Sequence, residues 1–193
     1  RESNDDGIIR FIFVGRLLIE KGIVDLVKAV EILKKKYTSI ELMILGPFDK
    51  KKKKQPSEED LNRWTEDRHI SYLGFKEDIE SYLGESDCIV LPSFYREGVP
   101  KSLIEAAAMG KVIITTDTIG CRDVVDDGLN GFLIQPKDIQ GLVDKMELVI
   151  NMSHQERFEM GLNGRRKIES QFDEKTVIQE YINVLEEAFL NDY

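Results

Sequence analysis

Ser93-Phe-Tyr-Arg-Glu-Gly-Val-Pro-Lys-Ser-Leu-Ile-Glu-Ala-Ala-Ala-Met-Gly110 lies between two short apolar runs, one starting at Cys88 and the other at Val112. Each run reads as a buried strand. Between them, Pro100 stands where a helix can open, because its fixed φ and missing N–H suit a first helical position. The alanine-rich residues 105–109 carry the helix on, and Gly110 is placed to end it. Gly98 leaves the preceding turn bare. A ligand can therefore approach the amides of the helix N-terminus, whose orphan donors and partial positive charge suit phosphate.

Two carboxylates bracket the turn: Glu97 just ahead of the helix and Glu105 eight positions later on it. Carboxylates are poor phosphate ligands and good acceptors for sugar hydroxyls. Amide donors flanked by carboxylates fit a diphosphate flanked by hydroxyls, which describes a nucleotide sugar. Glu97-Gly-x-Pro-x-x-x-x-Glu105-Ala-x-Ala-x-Gly110 resembles the signature of the family-4 retaining glycosyltransferases of the GT-B fold.

Upstream, the apolar run 8–14 reads as a first buried strand ending at Gly15. Ile23, Leu26, Val27, Val30 and Leu33 repeat at helical spacing, and the helix is expected to finish in Lys34-Lys35-Lys36, where cations complement its dipole. Residues 41–45 form the next strand. The turn between the first strand and its helix carries Gly15, Arg16, Lys21 and Gly22. Two cations there, at the C-terminal end of a strand, sit where open α/β sheets bind ligands. Arg offers a planar fork and Lys a point charge. Gly-Arg-x-x-x-x-Lys-Gly resembles the family's phosphate-binding segment.

The basic run 50–54 reads as a solvated, mobile loop, or more sharply as an attraction to an anionic membrane surface or lipid-diphosphate acceptor. Ser57 caps a helix with an acidic first turn, and Trp64 lies on it, partly buried. The strand 69–73 ends in Gly74-Phe75-Lys76, a turn resembling the family's nucleobase-lining loop; Phe75 either meets the base or belongs to the core. Ile79, Tyr82 and Leu83 follow at helical spacing. After the fifth strand, Asp123 stands where the family usually has Glu, in Gly-Cys-Arg-Asp-x-x-x-Asp-Gly-x-Asn-Gly. Asp127-Gly128 and Asn130-Gly131 signal turns into a last strand, 132–134. Helix follows from Asp138, with core stripes at Leu142, Met146, Val149, Ile150 and at Val177, Ile178, Tyr181, Ile182, Leu185, Phe189.

At 193 residues, 41% apolar and 33% charged, the chain can bury a sizeable core and does not read as disordered. A net charge of −9 argues against nucleic acid as a partner. Two cysteines, Cys88 and Cys121, are too few for a disulfide framework, so a reducing cytoplasm is the default. No stretch is long and apolar enough to span a membrane, and nothing reads as a signal peptide. There is no Gly-x-Gly-x-x-Gly after the first strand, no Walker A loop and no Gly-x-Ser-x-Gly elbow. His69 and His154 stand alone, so no metal site is expected.

The expected fold is α/β: one Rossmann-like domain, with an about six-stranded parallel sheet, helices on both faces and a helical C-terminal tail. Residues 1–7 read as linker and 8–193 as the nucleotide-sugar (donor) binding domain. The resemblance implies one half of a GT-B enzyme, whose missing N-terminal domain carries most acceptor contacts. It implies transfer of a hexose or N-acetylhexosamine, UDP-linked, to a glycan or lipid-linked acceptor in bacterial polysaccharide synthesis, at the inner face of the membrane. Arg16, Lys21 and Glu97 would be catalytic. The donor would be held by Gly15, Arg16, Lys21, Phe75, Lys76, Glu97, Gly98, Val99, Pro100, Lys101, Ser102, Leu103 and Glu105, with no metal and no cofactor besides the nucleotide-sugar substrate. A stand-alone nucleotide-binding module, a pure interaction domain or a sugar phosphorylase of the same fold are the alternatives.

Overall fold

The computed structural model describes residues 6–49, 53–96, 98–173, 178 and 181–183. The expectations for Glu97, for Lys50, Lys51 and Lys52, and for Val177, Leu185 and Phe189 lie outside the described residues, while Ile178, Tyr181 and Ile182 of that last stripe are exposed and do not belong to the core. Six parallel strands form one sheet in the order β3-β2-β1-β4-β5-β6. They are β1 (Ile9–Val14), β2 (Ile40–Leu45), β3 (Ile70–Gly74), β4 (Cys88–Leu91), β5 (Val112–Thr116) and β6 (Gly131–Ile134). The central strands β4 and β5 are buried along their whole length, as continuous apolar runs require when helices cover both faces.

The helices are α1 (Ile23–Leu33), α2 (Glu58–Thr65), α3 (Ile79–Glu85), α4 (Lys101–Ala108), α5 (Cys121–Val124), α6 (Ile139–Asn151) and α7 (His154–Gln171). The chain leaves β1 toward β2 on one side and β4 toward β5 on the other. Right-handed crossovers therefore put α1 and α4 on opposite faces. α6 packs on α1, and α7 packs on α4. All five residues of the α1 stripe are buried, as are Leu142, Met146 and Val149 of α6, with Ile150 packed at the edge of the core. Trp64 is buried more fully than expected, at 4% exposure.

Three local expectations shift. α1 stops at Leu33, so Lys34, Lys35 and Lys36 lie beyond its last turn. There Lys34 pairs with Asp67 and Lys36 with Glu147, so these two lysines tie neighbouring elements together as well as facing the helix end. Pro100 is the N-cap and not the first helical residue: its ψ of 122° is extended, and its carbonyl accepts from the Leu103 amide at 3.0 Å. The short α5 was not foreseen; Gly120 precedes it as its N-cap, and the φ of 86° there turns the chain after β5.

Asp67 yields a pH prediction. Its own burial pushes the carboxyl up, but the Lys34 ammonium and the His69 amide, 2.9 Å away, outweigh that and hold it below its ordinary 3.8. A carboxyl whose folded pKa is depressed binds fewer protons folded than unfolded. Its stabilising contribution is whole above 3.8 and is lost as pH falls through the folded value. Asp67→Asn is therefore expected to flatten the acid limb of the stability curve below about pH 4, read from urea midpoints.

Candidate functional site

β1 and β4 are neighbours whose onward connections run in opposite directions, which opens a crevice at their C-terminal ends. The two sequence motifs, loop 15–22 after β1 and loop 92–100 after β4, meet there. The Phe94 amide donates to the Glu20 carbonyl at 2.9 Å, and the Ser93 hydroxyl reaches the same oxygen at 3.4 Å. Ser93 Oγ in turn accepts from the Tyr95 amide at 3.2 Å, and the Ser93 carbonyl accepts from Thr116 Oγ1 at the end of β5. Gly22 lies so close to Pro92 that a Cβ would stand 2.1 Å from the Pro92 carbonyl oxygen. No side chain fits there.

Helix starts divide by position. α2, α3, α6 and α7 are capped by Ser57, Asp78, Asp138 and Ser153, each accepting a first-turn amide. α1 and α4, which open onto the crevice, have no side-chain cap, and neither does the four-residue α5. A helix start left uncapped keeps orphan donors and positive potential for an anion. In α4 these belong to Lys101 and Ser102. Leu103 differs, since its side chain is in the core and its amide is spent on Pro100.

Arg16 is exposed at the mouth of the crevice, and Lys21 is half-buried with Nζ 5.9 Å from the centre of the Tyr95 ring. Lys54 Nζ lies 2.6 Å from Glu20 Oε1, which offsets an acid beside the two cations. The Lys54 carbonyl also receives the Ile19 amide at 2.9 Å, so this end of the basic run is fastened to the turn. Glu105 is half-buried on the first turns of α4 and pairs with Lys101 at 3.1 Å. Gly98 is exposed, Val99 half-buried and Pro100 buried.

Phe75 and Lys76 follow β3, two strands away from β1 on the same edge. Phe75 is 67% exposed and so is no core residue, and Lys76 Nζ lies 5.9 Å from the Tyr82 ring. The strand ends Gly15, Gly46 and Gly74 line up between the two places. The Gly15 amide donates to Leu45 and that of Gly46 to Gly74, both at 2.9 Å.

Sequence reading missed Tyr95, Lys54 and Lys137. Lys137, in the loop after β6, has a φ of 63° and places Nζ 4.6 Å from the Phe94 ring. An exposed lysine gives no sequence signal of such a contact. Among the described residues, no three His, Cys, Asp or Glu side chains gather as a metal site, and no helix is long and apolar enough to cross a membrane.

The family model for Glycosyl transferases group 1 matches residues 2–167. The capsular polysaccharide biosynthesis glycosyltransferase CapM of Staphylococcus aureus is 28% identical over 98% of this chain and 48% of its own length. The chain thus spans about half the length of the curated relatives it matches. HepE of Anabaena, solved with UDP and glucose, is 22% identical with a TM-score of 0.78, over 93% of this chain and 48% of that one. The C-terminal domain of a group 1 glycosyl transferase from Francisella tularensis, LpcC, is 25% identical with a TM-score of 0.70, over 87% and 89%.

Proposed function

The chain belongs to the group 1 glycosyl transferases, and from that premise we propose that it is the donor-binding half of a family-4 retaining enzyme. It would move a hexose or N-acetylhexosamine from a UDP-sugar to a glycan or lipid-linked acceptor in bacterial polysaccharide synthesis. The observation that carries this reading is the meeting of loops 15–22 and 92–100 at the β1–β4 crevice, with α4 uncapped between them. The UDP of the Anabaena structure and the capsular role in the name of the Staphylococcus relative support the donor and the pathway.

In the reaction, the bond between the anomeric carbon and the diphosphate oxygen breaks, and its electron pair leaves with UDP. The acceptor hydroxyl bonds to that carbon with retention and passes its proton to the departing diphosphate oxygen. Negative charge grows on the diphosphate, and Arg16, Lys21 and the α4 amides of Lys101 and Ser102 would stabilise it there. These cations support a transfer that requires no bound metal. Glu97 would hold donor-sugar hydroxyls, Glu105 the ribose hydroxyls and the Phe75 turn the base. The acceptor would be bound by an N-terminal half beyond this chain, in a cytoplasmic enzyme attached to the inner membrane face through that half.

An amide-shift NMR titration with UDP, GDP and ADP tests the donor site. UDP is expected to move the signals of Arg16, Lys21, Phe75, Gly98 and Ser102, with a dissociation constant on the order of 0.1–1 mM. If none of the three nucleotides binds either this chain or the full-length protein, the reading fails.

A further inference from the structure

The opposite edge of the sheet carries a cavity of about 580 Å³, of the size of small-molecule sites. Asp87 just before β4, Lys111 just before β5 and the first turns of α7 line it. With strands of four or five residues between, it lies about 15 Å from the donor crevice.

Its chemistry is lopsided. Lys111, His154, Arg157 and Arg165 line it against one acid, Asp87, in a chain whose net charge is −9. Lys111 Nζ donates to the carbonyls of Gly84 and Ser86 at 2.8 and 2.7 Å, and an ammonium has three donors. Two are satisfied by neutral acceptors and the third remains for an anion. Burial pushes this ammonium below its ordinary pKa, and the charge of Asp87, which acts in the other direction, does not make up for the lost water.

Arg157 is equally incomplete. Its side chain is 13% exposed; one Nη donates to the Met152 carbonyl, while Nε is buried without a hydrogen bond. Nε is ion-paired with Asp87 Oδ1 at 3.4 Å but makes no hydrogen bond to it, and the other Asp87 oxygen is engaged by the Arg10 amide. An orphaned guanidinium donor is costly to bury unless something completes it. Among the described residues Arg165 pairs with Glu169, and both are more than half exposed, so that pair is weak and the guanidinium can turn toward the cavity. Met109 and Phe158 supply exposed apolar surface beside these cations.

We propose that this cavity is a second ligand site, which takes a small molecule bearing a phosphate group and a flat apolar part. The phosphate completes Lys111 and Arg157, and the apolar part covers Met109 and Phe158. Free phosphate and a phosphate ester share this chemistry, and the probes separate them.

The test is an NMR titration of the chain already saturated with UDP, using phenyl phosphate, inorganic phosphate, and sodium chloride at matched ionic strength. Phenyl phosphate is expected to move the amides of Gly84, Gly110, Lys111 and Phe158 saturably, with a dissociation constant on the order of 1 mM. Inorganic phosphate should move the same set more weakly, which assigns the apolar part; equal affinity would overturn that part of the proposal. Arg165→Glu, on an exposed side chain, should weaken phenyl phosphate about tenfold, and Lys111→Met should abolish its binding. If Lys111→Met does not fold, Arg165→Glu carries the test alone. No saturable shift at these amides, shifts reproduced by chloride, or indifference to Arg165→Glu would each overturn the site. Failure of the donor reading would show instead as missing UDP shifts at Arg16 and Lys21.

Discussion

Replacing Lys21 with alanine in the full-length enzyme is expected to lower kcat by about 10²–10³-fold while leaving the affinity for uridine nearly unchanged. The reason is where charge develops. The diphosphate gains a negative charge as the glycosidic bond breaks, and a cation fixed beside it favours the transition state over the ground state. Lys21 is held in place: it is half-buried, next to a glycine that locks loop 15–22 onto Pro92, with its ammonium near the Tyr95 ring. Uridine has no phosphate, so its binding reports the base and ribose contacts alone. Steady-state kinetics and uridine titration separate the two effects. Lys28→Ala, at an exposed position of α1 away from the crevice, is the control and should be neutral. Unchanged kcat in Lys21→Ala would remove this lysine from the mechanism, and parallel losses in kcat and uridine affinity would point to a collapsed loop.

Gly22→Ala should destabilise the chain by about 3–5 kcal/mol, a large share of a domain's stability. Two costs add. Gly22 has a φ of 79°, where an L side chain costs about 1 kcal/mol or more. The new Cβ would also stand 2.1 Å from the Pro92 oxygen, backbone that cannot swing aside. Gly128→Ala isolates the first cost, because Gly128 has a φ of 78° and nothing within 4 Å of a Cβ. Urea unfolding of the three proteins measures the difference. If Gly22→Ala proves no less stable than Gly128→Ala, the two loops are not locked as described. Because the same contact joins the two motif loops, the alanine variant should lose UDP binding before it loses its fold.

Much of this was legible in the chain because the signals are local. An apolar run such as 88–91 must be buried whatever its neighbours, and a stripe such as Ile23, Leu26, Val27, Val30 and Leu33 needs only helical periodicity to declare its face. The spacing of Glu97 and Glu105 across Gly98 and Pro100 was likewise readable, since a loop and the helix it starts are continuous in sequence. Boundaries were less so: Pro100 proved to be the cap and Leu33 the end of α1, because the last residue of a helix depends on what its carbonyls and side chains meet. Phe75 could be read as core or as surface from sequence, and its exposure was settled by the position of β3 at the edge of the sheet.

Composition, periodicity and motif spacing by themselves determined a parallel α/β domain and the loop-to-helix turn that opens α4. The strand order decided the rest. Only the adjacency of β1 and β4 brings the loop that carries Arg16 and Lys21 against the loop that leads into α4, and only tertiary packing sets Lys54 against Glu20, Lys137 on Phe94 and Lys111 beside Arg157. The physical reason is that a residue's local preferences carry no information about a partner tens of residues away. That partner is chosen by the free energy of burying the whole sheet at once.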